Sequence, residues 1–131
     1  MAITSSIDLA ARIVRLNYAG EVSPQEWRAV MEAVCREPTF EPGFGILVDR
    51  RQVEAPTSEC VREVLNIIET HRRTLAACPW AVVVGSNAAF FMGRKLEMLA
   101  RHGAIRIKAF RDISTAERWL RDSRVAKAQE S

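Results

Sequence analysis

The hydrophobic positions change their spacing along the chain, and each change marks an element. Between residues 11 and 18, Val14, Leu16 and Tyr18 alternate with Arg15 and Asn17, the period of a strand with one buried face. Ile7 and Leu9 offer a partner strand ahead of it. Ser23-Pro24-Gln25-Glu26 then combines a hydroxyl cap, a proline at the first helical position and a glutamate able to reach back to the cap. The helix that follows groups Trp27, Val30, Met31, Val34 and Cys35 on one side and ends before the loop 38–43.

Two later runs are apolar without alternation, as in strands covered on both faces. The first spans residues 44–48 and meets solvent at Asp49, Arg50 and Arg51; the second is Trp80–Val84, stopped by Gly85. Between them Thr57 or Ser58 can cap a helix whose stripe is Val61, Val64, Leu65, Ile68 and Leu75. Ser86 and Asn87 cap a third helix, with Met92, Leu96 and Leu99 on its core stripe and Gly103 as its stop. Residues 104–110 alternate again, as at a sheet edge. Ser114-Thr115-Ala116-Glu117 reads as a second capping box, opening a helix with Trp119 and Leu120.

Strands alternating with helices over short connections predict an α/β domain: a single mixed, mostly parallel β-sheet of about five strands, with about four helices packed on it. No linker or repeat interrupts residues 1–121, which we read as one domain, and the polar residues 122–131 are expected to fray. At 131 residues and 48% apolar content, the chain can bury a core without staples.

Nineteen basic residues against sixteen acidic ones, spread along the chain, form no nucleic-acid footprint. The longest apolar run is far short of a membrane span, and the first residues carry no secretion signal, so a cytoplasmic protein with no integral membrane association is expected. Cys35, Cys60 and Cys78 are odd in number and widely separated, which predicts free thiols rather than disulfides or a metal site.

Candidate chemistry concentrates where the parallel strands end, the usual ligand edge of such sheets. Arg50, Arg51 and Arg111 are placed there with the helix starts Ser58, Ser86 and Asn87. Either this rim holds an anionic group, or the arginines pair with nearby carboxylates while the small polar residues only cap. His71 and His102 sit in no HExxH spacing and beside no nucleophile elbow, so no catalytic residues, metal or cofactor are expected. On the third helix Phe90 falls roughly 160° from the core stripe, among Arg94, Glu97 and Arg101, with Phe91 and Met98 as a flanking ridge. These three are the candidate interface residues.

The strands Gly45-Ile46-Leu47-Val48-Asp49-Arg50 and Ala81-Val82-Val83-Val84, with the closing Phe110-x-Asp112-x-x-x-Ala116-x-x-Trp119-Leu120, resemble bacterial SpoIIAA-like domains, also called STAS-like or STAS/SEC14 domains. The resemblance runs from about Ile7 to Leu120. It implies a mixed sheet in a fold class shared by anti-sigma-factor antagonists and CRAL-TRIO lipid-binding domains, neither of them catalytic. It also implies a phosphorylated serine at the helix after the central strand. Here Asp49 is followed by Arg50, Arg51 and a longer loop instead of the Asp-Ser-Ser/Thr-Gly pattern, and Ser58 is the candidate at that helix start.

The expected function is therefore a non-enzymatic regulatory or protein-interaction module that associates with itself as a homodimer or with a protein partner. The alternative is a binding domain for a small amphipathic, lipid-like or anionic ligand at the strand ends.

Overall fold

A computed structural model describes residues 2–130, with side chains as far as Ser123. Five strands form one sheet in the order of the chain: β1 (Ile3–Asp8), β2 (Ile13–Tyr18), β3 (Gly45–Arg50), β4 (Trp80–Val84) and β5 (Ile107–Phe110). β1 pairs antiparallel with β2, as a hairpin permits, and the remaining pairs are parallel. Crossovers that always advance in one direction place their helices on one face. That face carries α1 (Pro24–Arg36), α2 (Ser58–Thr70), the single turn α3 (Arg72–Leu75) and α4 (Asn87–His102). α5 (Ile113–Glu130) covers β3, β4 and β5 from the other side.

The alternation of side chains along the strands therefore feeds two cores. Val14, Leu16, Ile46, Val48, Trp80 and Val82 point to the larger one under α1, α2 and α4. Leu47, Ala81, Val83 and Phe110 meet Ala116 and Leu120 of α5. Every residue of β4 is buried, as its unbroken apolar run predicts.

The start of α1 forms as its sequence dictates: Glu26 N donates to Ser23 Oγ at 3.1 Å and Ser23 N donates to Glu26 Oε1 at 3.3 Å. Elsewhere the tertiary contacts revise the local pattern. Leu9 does not pair in β1; it stands in the turn, 55% exposed. The second helix breaks at His71 into α2 and α3, which turns Leu75 into the core beneath the Trp80 indole. α5 opens at Ile113, and Asp112 caps it by accepting from Thr115 N and Oγ1, both at 2.8 Å, so the Ser114 capping box does not form. The fraying expected for residues 122–131 falls mainly on residues 124–131, whose side chains lie outside the described residues.

α4 departs most from its predicted phase. Its inward residues are Ala89, Gly93, Leu96, Glu97 and Ala100, whereas Leu99 is 42% exposed. Small residues let the helix lie close on β5: a β-carbon at Gly93 would stand 2.7 Å from Ala109 Cβ, a clash between two rigid positions. Glu97, expected on the charged side, is 5% exposed because its Oε1 accepts the Ala109 N–H at 3.1 Å, and Oε2 pairs with Arg94 Nε at 3.1 Å. A backbone donor at the sheet edge is thereby occupied from within the chain, which blunts edge pairing with other molecules.

Candidate functional site

A cavity of about 50 Å³ lies between the sheet and α2 and α4, running from Trp80 and Ile107 at the starts of β4 and β5 to Tyr18, Arg50 and Val84 at the carboxyl ends of β2, β3 and β4. Val48, Trp80 and Val82 form its floor; Cys60, Val61 and Val64 of α2, Trp27 of α1 and Ala89, Met92 and Leu96 of α4 form its walls. Tyr18 and Arg50 line it where their strands end. The loop between β3 and α2 supplies Pro56 to the lining, and its Val53 and Ala55 pack on the same core.

Arg50 is the one charged side chain of the described lining. Its guanidinium stands 4.7 Å from the centre of the Tyr18 ring, a cation–π arrangement, and Nη2 donates to the Glu54 carbonyl of the loop at 3.2 Å. Arg50 Nε is buried and has no hydrogen-bond partner among the described residues. Leaving such a donor unmet costs about 1–3 kcal/mol, so it calls for an acceptor. Burial pushes the Tyr18 phenol up to about 12, against the downward pull of the adjacent Arg50 charge. The phenol is therefore a neutral hydrogen-bonding group at physiological pH. Cys60 lines the cavity as a thiol outside any disulfide.

The strand-end rim divides about the sheet. Arg50 alone of its candidate residues reaches the cavity. Arg51 turns to Asp49, donating from Nε to Oδ1 at 3.0 Å and from Nη2 to Oδ2 at 2.9 Å, and these bonds hold the Asp49 carboxyl below its ordinary range. Arg111 Nη1 donates to Asn87 Oδ1 at 2.6 Å and its Nη2 to the Gly85 carbonyl at 3.4 Å. Ser86 Oγ accepts from Ala89 N at 3.1 Å as the cap of α4. Thr57 rather than Ser58 caps α2, accepting from Cys60 N at 3.1 Å, which leaves Ser58 exposed at the first helical position. Pairing and capping thus account for Arg51, Arg111, Ser86 and Asn87, Ser58 is exposed, and Arg50 stands apart from them.

Sequence reasoning missed Tyr18 as a site residue and read it only as core. The available signal was its position: a phenol closing the apolar side of a strand has its polar tip at the ligand edge. Of the three interface candidates, Phe90 is half-buried and packs on the main core, while Phe91 and Met98 are 71% and 64% exposed. Among the described residues no group of three or more His, Cys, Asp or Glu is placed to hold a metal ion, and no helix is long and apolar enough to cross a membrane.

Sheet order, mixed strand directions and helices on both faces define a SpoIIAA-like fold. A solved structure with this architecture is an uncharacterized protein of the DUF3478 family with a SpoIIAA-like fold from Shewanella loihica PV-4; it matches 91% of this chain and 92% of its own at a TM-score of 0.64 and 13% identity. At that identity the likeness concerns fold alone. No protein-family model matches the chain, and no curated protein matches it.

Proposed function

We propose that this protein is a non-catalytic binding domain that holds a small, largely apolar molecule in the cavity between β2–β4 and helices α2 and α4. The observation that carries the reading is the cavity itself, an apolar space whose one charged residue of the described lining, Arg50, stands at the carboxyl edge of the sheet. Interiors are otherwise filled to crystal-like density with only a few small voids per domain, so a space larger than a single water supports this reading. Burial of an apolar molecule there gains the hydrophobic contribution of its carbon surface.

Short n-alcohols are the simplest probes. Butanol is expected to change the fluorescence of Trp27 and Trp80 saturably and to raise the melting temperature. Val64→Phe fills the cavity from α2 and is expected to abolish both responses while the circular dichroism spectrum is retained. An unchanged response in the filled variant would assign the binding to another surface and end this reading.

A second reading, self-association through α4, is favoured by the exposure of Phe91 and Met98, one heptad apart on the same ridge. Light scattering is expected to show a dimer that Phe91→Ser shifts toward monomer. Wild type and variant both running as monomers at high concentration would remove it.

A further inference from the structure

The cavity has a polar end whose chemistry narrows what fits. Among the described residues Arg50 makes no ion pair, in contrast to Arg51, and no aspartate or glutamate lines the cavity. A half-buried cation without a counter-ion, whose buried Nε–H has no acceptor, is complemented by an anionic oxygen. One positive charge beside one neutral phenol suits a single negative charge, whereas a phosphate dianion asks for more donors than this lining holds. The remaining walls are hydrocarbon, indole and the sulfur side chains of Cys60 and Met92. Their space is small: a cavity of about 150 Å³ accommodates the six carbons of benzene, so about 50 Å³ admits a tail of two or three carbons before helices must move.

We propose that the cavity takes a short-chain organic carboxylate, with a carboxylate oxygen accepting from Arg50 Nε and the chain lying among Val64, Trp80, Val82 and Leu96. The proposal rests on the cavity reading above and adds the class of head group and the length of tail. Arg50 then has two duties. Its Nη2 holds the Glu54 carbonyl of the β3–α2 loop while its Nε meets the ligand, so occupancy and closure of that loop engage one side chain.

The test compares butanoate, butanol, butylamine and decanoate on the wild-type protein, read by tryptophan fluorescence at neutral pH. Butanoate is expected to bind at least about tenfold more tightly than butanol, the scale of one hydrogen bond to a charged group, and butylamine not to bind. Arg50→Gln is expected to lose the preference for butanoate while keeping the affinity for butanol. The wild-type series decides the matter even if that variant does not fold. Butanoate binding no better than butanol, or affinity still rising steeply at decanoate, overturns the carboxylate proposal and leaves the cavity reading standing. Failure of every probe, butanol included, overturns the cavity reading with it.

Discussion

Replacing Trp80 by alanine is expected to lower the folding free energy by about 3–5 kcal/mol, the range for deleting a large buried aromatic side chain. Trp80 is 2% exposed, its ring lies 6.1 Å from that of Trp27, and its Nε1–H donates to the Leu75 carbonyl at 3.0 Å. It therefore joins β4 to α1 and to the α3 turn at once. The alanine variant loses the buried ring surface, leaves space that rigid strands cannot collapse into, and removes one of the two donors to the Leu75 carbonyl, which keeps only Cys78 N at 3.2 Å. For a domain whose whole stability is about 5–15 kcal/mol, much of the margin is gone. Urea denaturation followed by circular dichroism should show the midpoint falling with an unchanged slope. A loss below about 1 kcal/mol would mean that the sheet and α1 are not packed through this side chain.

Alkaline pH is expected to destabilise the fold through Tyr18, which is the only tyrosine of the sequence. Its phenol ionises at the ordinary 10.0 in the unfolded chain and at about 12 in the folded one, chiefly because the charged form would be desolvated. Between these values the unfolded state binds fewer protons than the native state, so stability falls as pH rises. The contribution is whole below pH 10.0 and is lost through about pH 12, a total of about 2–3 kcal/mol for a shift of this size. Tyr18→Phe is expected to flatten that part of the stability profile. Tyrosinate absorbance should titrate late in the native protein and normally in urea. A native phenol titrating at its ordinary value would show that water reaches the Arg50 end of the cavity freely, and the desolvated polar end would no longer be credible.

Much of the architecture could be read from the letters because it rests on local rules. The capping box at Ser23, the alternation Val14-Leu16-Tyr18 and the unbroken run Trp80–Val84 each have a single structural solution once a core must be buried. The phase of α4 was not legible in the same way. Its hydrophobic residues alone place Leu99 inward and Glu97 outward, but close approach to β5 selects the small residues Ala89, Gly93 and Ala100 for the inner face, and Glu97 then finds an edge N–H to satisfy it. A stripe of alanine and glycine carries little hydrophobic signal although it decides how near two elements can come.

The candidate site divides along the same line. The ligand edge and its arginines follow from strand order, and Arg50 was among the residues named from sequence. What Arg50 faces did not follow. Asp49 and Arg50 are neighbours on a strand and point to opposite sides, so Arg50 enters the cavity beside Tyr18 while Asp49 holds Arg51 of the following turn.

By itself the sequence determined the kind and order of the main elements, the buried central strands and the edge at which candidate chemistry gathers, because periodicity and capping are properties of neighbouring residues. Only the tertiary structure decided which polar groups are spent on one another and which remains without a partner beside an open space. That outcome depends on distances between Tyr18, Arg50, Glu54 and α4, and such distances are set when separate elements pack, after the local rules have done all they can.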